Sequence, residues 1–123
     1  MEKVKLEYLI KTQPQVLFNH ISTPDGLSTW FADDVLLSED LFIFKWRGYE
    51  QAAKISKNSK KMFISIDWID EDKKLEMTVT TNSITNDVVL TVIDCLDEGE
   101  LKEDIQMLWD SQIQILKRRL GAN

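Results

Sequence analysis

The chain has 123 residues, of which 43% are hydrophobic and 29% charged, and its formal net charge is -6. This length predicts a single domain over residues 1–123 with one hydrophobic core. The negative charge would repel a phosphate backbone, whose attraction supplies much of nucleic-acid affinity, so we expect no nucleic-acid partner. The apolar runs are too short to cross a bilayer. We therefore expect no membrane insertion and, by default, a cytoplasmic location.

The sequence offers few residues of the kind that carry catalysis or bind metal. The single cysteine, Cys95, has no cysteine partner and no nearby histidine, and is expected to be a small core residue. The lone His20 has no acid or nucleophile at a fixed spacing and is read as a surface or capping residue. Since no phosphate loop, nucleophile motif or metal-ligand cluster is present, we predict no metal, no cofactor and no assigned catalytic residue.

The first third of the chain predicts a strand followed by two short helices. Residues 4–10 alternate between apolar and polar, which indicates a strand with one buried face. Pro14 suits the first turn of one helix; Pro24, capped by Thr23, suits the first turn of a second helix that ends in Trp30 and Phe31. Either these two aromatic residues lock the helices to the core, or they mark an exposed binding site.

The middle of the chain predicts an antiparallel sheet. Strands are expected at 41–46, 49–56, 62–68, 74–81 and 87–95, with a fainter one at 35–37. Their connections are short and turn-like, which favours antiparallel hairpins. With the first strand, seven strands are predicted.

A long amphipathic helix is predicted at the carboxyl end. Asp97 and Glu100 form a start similar to a capping box, and Gly121 is a plausible C-cap. Apolar residues and one glutamine recur every three or four positions between them: Leu101, Ile105, Leu108, Trp109, Gln112, Ile113, Leu116 and Leu120. The element order predicts an α+β fold in which a curved antiparallel sheet of about seven strands wraps around this helix.

Two passages resemble a known family. "FNHISTPDGLSTWF" (18–31) and "LWDSQIQILKRRL" (108–120), together with the element order, are similar to the START-like, or SRPBCC, superfamily, which shares the helix-grip fold of the birch-pollen allergen. The most similar branch contains proteins related to the activator of the heat-shock chaperone ATPase. The passage "KNSKKMFISIDW" (57–68) departs from that branch because it lacks a proline, although it keeps Trp68.

The resemblance implies a cavity between the long helix and the sheet that takes a lipid, sterol, polyketide or other apolar molecule. Apolar and methionine side chains here are compatible with such a lining. The alternative is that the same side chains fill the interior at ordinary packing density. The predicted ligand-cavity residues are Trp30, Phe44, Trp46, Met62, Ile64, Ile66, Met77, Val79, Ile105, Leu108, Trp109 and Gln112.

Three functions stay open at this point. The first is a non-catalytic module that binds an apolar small molecule. The second is a protein-interaction module, as a co-chaperone-like regulator with a chaperone partner or as a homodimer instead of a monomer; Leu9, apolar on a polar strand face, is a hint of it. The third is a cofactor-free cyclase or dehydratase, for which Tyr8 and Glu50 are the candidate groups, with Gln51 and Asp67 as other polar strand residues.

Overall fold

A computed structural model describes residues 2–122. Its elements, in chain order, are β1 (Lys3–Leu9), α1 (Pro14–Ser22), α2 (Pro24–Leu27), β2 (Asp34–Ser38), β3 (Leu41–Trp46), β4 (Tyr49–Asn58), β5 (Phe63–Trp68), β6 (Lys74–Thr81), β7 (Val88–Cys95) and α3 (Lys102–Leu120). None of these helices has the length and apolar character needed to span a bilayer.

The seven strands form one sheet in the order β1-β7-β6-β5-β4-β3-β2, and every neighbouring pair is antiparallel. The predicted α+β helix-grip fold is confirmed, including the faint strand, which is the edge strand β2. The pairing of β1 with β7 places the first strand of the chain beside the last strand. Strands β1 and β2 are left as the two edges of the sheet.

One face of the sheet holds the core. Side chains at alternate positions of the central strands, such as Phe44, Ile66 and Leu90, are fully buried on this face. Helix α3 buries Trp109 and Leu116 against it. Cys95 is a free, buried cysteine at the end of β7, as predicted.

The start of α3 differs from the prediction. The helix begins at Lys102, and its N-cap residue is Leu101, whose side chain makes no capping hydrogen bond. The Glu100 side chain does accept a hydrogen bond from the Asp97 backbone N–H at 2.9 Å, but this closes a turn before the helix instead of capping it. The C-cap prediction is confirmed, since Gly121 adopts φ 67°, a left-handed conformation that glycine tolerates.

The buried stripe of α3 is narrower than predicted. Leu101 and Leu108 are 60% and 58% exposed, so their placement in the stripe was wrong. The buried side of the helix is centred on Trp109, and Leu108 points away from it by roughly 100° because adjacent helical residues differ by that angle. A spacing of three or four between apolar residues does not by itself show how far around the helix the buried side extends.

Helices α1 and α2 meet at a tight junction. Thr23 caps α2 by accepting a hydrogen bond from the Gly26 backbone N–H at 3.0 Å. A Cβ at Gly26 would lie 2.4 Å from the Asn19 carbonyl oxygen, so only glycine fits there. Helix α2 ends at Leu27 and not at the predicted Phe31, and a series of turns follows it.

Candidate functional site

An aromatic cluster lies where β3 ends. The Trp46 ring lies 5.9 Å from both the Phe31 and Phe44 rings, 6.2 Å from Trp68 and 5.2 Å from Tyr49, between centroids. Phe44 is fully buried, Trp46 is half-buried, and Tyr49 is 61% exposed. The cluster therefore extends from the core to the surface, so aromatic faces reach a place where a ligand could meet them.

The turn after α2 is locked into this cluster. Trp30 is 4% exposed and donates a hydrogen bond from Nε1 to the His20 carbonyl oxygen at 2.9 Å. Its ring lies 5.5 Å from Phe31 and 6.2 Å from Trp109. Of the two alternatives left open for Trp30 and Phe31, the structure favours the lock to the core, because both are buried between α1, α3 and the sheet.

A cleft of about 420 Å³ opens beside the cluster. It is lined by residues 28–33 of the turn, Trp46 of β3, and Gln112, Ile115 and Arg119 of α3. Its volume lies within the roughly 300–1,000 Å³ range of small-molecule sites. The cleft therefore has a volume in the range of small-molecule pockets, as do other clefts on the described surface, and its lining combines the half-buried Trp46 with polar side chains.

Hydrogen bonds from two elements hold the turn in place. Trp46 Nε1 donates to the Phe31 carbonyl oxygen at 3.1 Å, and Arg119 Nε donates to the Thr29 carbonyl oxygen at 3.1 Å. These bonds tie the turn to β3 and to α3. The cleft walls are therefore positioned by the fold itself, which lowers the entropic cost of binding.

Gln112 lines the cleft and also holds a polar atom buried behind its surface. Its side-chain Oε1 is buried and has no hydrogen-bond partner in the part of the chain that the structure describes. A buried acceptor left without a partner costs about 1–3 kcal/mol, so such atoms are rare and call for an explanation. A ligand that donates a hydrogen bond here would remove that cost.

A second apolar flank of α3 continues the wall. Leu108 and Ile115 are seven residues apart, which places them on the same side of the helix as Gln112. The cleft brings Gln112 and Ile115 to Trp46. Leu108, one turn before Gln112, therefore lies on the flank that faces the cleft side of the molecule.

The residues predicted to line a ligand cavity are divided between core and cleft. The cleft is lined by Trp30, Trp46 and Gln112. Six others are buried core residues: Phe44, Ile64, Ile66, Met77, Val79 and Ile105. Trp109 is buried behind the cleft, Leu108 is exposed on α3, and Met62 lies half-buried in the turn before β5 with φ 50°.

The sequence reasoning missed part of the cleft. Apart from Trp30, the turn residues 28–33 were not among the predicted ligand-cavity residues, and neither were Ile115 and Arg119, although all of them line it. Ile115 and Arg119 follow Gln112 by three and seven positions, and helical residues at these spacings share a side. That spacing was a usable signal once Gln112 had been singled out.

The candidate catalytic groups lie outside the cleft. The Tyr8 hydroxyl donates to Asp110 Oδ1 at 2.7 Å. Burial, and then this hydrogen bond, raise the pKa of Tyr8 well above its usual range, which makes it a poor proton donor near neutral pH. Glu50 is exposed, and Asp67 accepts a hydrogen bond from Ser65 Oγ at 3.0 Å.

The remaining polar candidates have structural partners. Gln51 Nε2 donates to Glu71 Oε1 at 2.9 Å, and His20 Nδ1 donates to the Val16 carbonyl oxygen at 2.8 Å. Within residues 2–122, no group of three or more histidine, cysteine or acidic side chains lies close enough together to hold a metal ion.

A carboxylate supports the aromatic cluster from behind. Asp94 accepts hydrogen bonds from Trp109 Nε1 at 2.9 Å and from the Cys95 backbone N–H at 2.8 Å. Burial raises the pKa of Asp94 above its ordinary value, and both hydrogen bonds oppose that change. Asp94 therefore anchors α3 to the end of β7 through the indole of Trp109.

The comparisons with known proteins agree with this architecture. The model of the START-like superfamily domain matches residues 1–122, and the chain belongs to that superfamily. A protein from Bacteroides fragilis, solved by NMR in solution, is 34% identical; the match covers 99% of this chain and 92% of that one, with a TM-score of 0.68. No curated protein matches the chain significantly.

Two more distant solved structures share the fold. The Aha1 dimer from Colwellia psychrerythraea is 16% identical, with 98% of this chain and 96% of that one covered and a TM-score of 0.79. XoxI from Bacillus cereus is 11% identical over the same shares, 98% and 96%, with a TM-score of 0.81. At these identities the likeness shows the fold alone.

Proposed function

We propose that the protein is a non-catalytic START-like module that binds a small, mainly apolar molecule in the cleft between the turn 28–33, the end of β3 and the flank of α3. The superfamily fold generally binds ligands. The observation that carries the proposal is the buried Oε1 of Gln112, which has no hydrogen-bond partner among residues 2–122 and belongs to a residue that lines the cleft.

The lining restricts the chemistry of the ligand. Trp46 offers a half-buried aromatic ring and Ile115 an apolar edge, which suit a flat apolar body. Gln112 Oε1 calls for a hydrogen-bond donor. Arg119 uses Nε for the Thr29 carbonyl oxygen, and its remaining guanidinium N–H groups suit an anionic group at the cleft rim. The ligand class is therefore an aromatic molecule with one donor and one acidic group.

Entry of the ligand requires a movement of Gln112. Because Oε1 has almost no exposed surface, the side chain must turn before a donor can reach this oxygen. Gln112 is only half-buried and has three rotatable side-chain bonds, so the movement stays local. The hydrogen bond gained offsets the cost of turning.

The test uses 8-anilinonaphthalene-1-sulfonate, a probe with an aromatic body, one N–H donor and one sulfonate. Fluorescence titration should show saturable binding. Arg119→Met should weaken it at least tenfold, since a lost charge-assisted hydrogen bond costs about 1.5–3 kcal/mol, whereas Gln112→Leu should weaken it about two- to tenfold, since a neutral hydrogen bond is worth about 0.5–1.5 kcal/mol. Gln106→Leu on another side of α3 is the matched control and should bind like the native protein. Equal affinity in all variants would refute the cleft as the site.

A second candidate function is docking to another protein. Apolar side chains are exposed on α3, among them Met107 at 70%. The related fold from Colwellia psychrerythraea is described as a dimer, which supports self-association more directly than it supports the chaperone-regulator hypothesis. Gel filtration with light scattering at increasing protein concentration tests it; a monomer at every concentration would remove the homodimer.

A further inference from the structure

The outer side of α3 carries a stripe of five residues that the fold leaves in solvent. Asp104, Met107, Ser111, Ile115 and Arg118 all lie within roughly 40° of Ser111 around the helix, at about 100° per residue. This side is opposite the buried side of the helix. All five are exposed, with Met107 and Ile115 at 70% and 37%. We call these five residues the outer stripe.

The outer stripe is complementary to itself. Met107 and Ile115 lie four residues before and after Ser111, and Asp104 and Arg118 lie seven before and after it. If two copies of α3 cross antiparallel with Ser111 on the two-fold axis, each methionine meets an isoleucine and each aspartate meets an arginine. The small Ser111 at the crossing allows the helix axes to approach to about 8–10 Å.

We propose that a second copy of this chain docks on the outer stripe to form a two-fold symmetric dimer, a proposal that rests on the second candidate function and does not require that the cleft binds a ligand. Two-fold dimers use the same patch on both subunits, which is what this pattern provides. A parallel pairing would place Asp104 against Asp104 and Arg118 against Arg118. The charges therefore select the antiparallel arrangement.

The dimer is expected to be weak. The outer stripe spans fourteen residue steps, or about 21 Å at 1.5 Å per residue. A contact made by one helix from each subunit falls at or below the roughly 1,200 Å² typical of stable interfaces. We therefore expect dissociation in the micromolar range, with an affinity that falls as salt screens the charge pairs.

A charge swap tests this geometry. Sedimentation equilibrium of the full chain should show that Asp104→Arg and Arg118→Asp each weaken the dimer at least tenfold, because each creates two like-charge contacts across the axis. The double variant should recover the native affinity within about threefold. Asp70→Arg, which reverses an exposed acid in the β5–β6 connection, is the matched control and should leave the affinity unchanged.

Contacts within one subunit cannot explain why the double variant would recover the native dimer affinity. Asp104 and Arg118 lie too far apart on α3 to touch, and both changes place charges against the helix dipole. Of the three charge variants, the double variant should therefore have the least stable α3 within a single subunit. Recovered association would come from contacts between subunits.

A crosslink provides a second measurement. With Cys95→Ser to remove the native thiol, Ser111→Cys should form a disulfide-linked dimer under mild oxidation, while Gln106→Cys, on another side of α3, should not.

A native protein that stays monomeric at every concentration overturns self-association as a whole. A dimer unaffected by both single charge variants overturns this interface and assigns dimerisation to another surface. Binding of the sulfonate probe is measured separately and decides the ligand cleft alone.

Discussion

Replacing Trp30 by alanine tests whether the turn after α2 holds the fold together. The indole is 4% exposed, packs against the Phe31 and Trp109 rings, and donates to the His20 carbonyl oxygen. Truncation of a buried tryptophan leaves a large void and costs about 3–5 kcal/mol. The lost hydrogen bond adds to this, since the His20 carbonyl loses its partner. The expected loss is about 4 kcal/mol, a large fraction of the total stability of a domain.

Urea unfolding followed by far-ultraviolet circular dichroism measures this loss. Trp30→Phe keeps most of the packing but loses the hydrogen bond, and should lose about 1–2 kcal/mol. Tyr49→Ala is the control in the same aromatic cluster; because Tyr49 is 61% exposed, its truncation should cost less than about 1 kcal/mol. If Trp30→Ala cost less than about 1 kcal/mol, Trp30 would not be a structural lock.

Two further predictions concern the supports of the site. Because burial raises the pKa of Asp94, its contribution to folding stability is fully present below the ordinary aspartate pKa and is lost as pH rises through the raised value. Asp94→Asn accepts only one of the two hydrogen bonds, but it does not titrate, so its stability relative to the native chain should increase as pH rises from 3 to 7 in urea titrations; a relative decrease over that range would contradict the burial effect. Gly26→Ala should lose about 1–3 kcal/mol in the same assay, because its Cβ would overlap the Asn19 carbonyl oxygen; native stability would mean that α1 and α2 can separate.

Much of the sheet could be predicted because its signals are local. Strands β3 and β6 begin and end where the alternation and the turn residues place them, since the pairing of antiparallel hairpins depends on residues near in sequence. The start of α3 was less predictable. Asp97 binds Lys73 as well as Glu100, and a salt bridge to the β5–β6 connection is a tertiary contact that the capping-box pattern does not contain.

The lining of the cleft could not be predicted in full from the sequence, because it is formed by contacts between residues that are distant in the chain. Arg119 and Thr29 are ninety residues apart in the chain and meet only because α3 returns across the turn that follows α2. The cavity that the resemblance to the START-like superfamily implies stays a prediction, although its predicted lining includes Trp46 and Gln112, which line the cleft. It did not separate core residues such as Ile66 from residues that reach the surface, because both classes are apolar and alternate along the same strands.

Helix α3 explains why one short chain can support two separate surfaces. Its inner side, centred on Trp109, packs on the sheet, whereas Gln112 and Arg119 lie on the flank that borders the cleft. The outer stripe is centred on Ser111, on the opposite side. Ile115 alone belongs to both the cleft and the outer stripe, since it lies between them around the helix. A second subunit that covers Ile115 would therefore alter the rim of the cleft but leave Gln112 and Trp46 in place, so dimerisation would adjust ligand affinity without being required for binding.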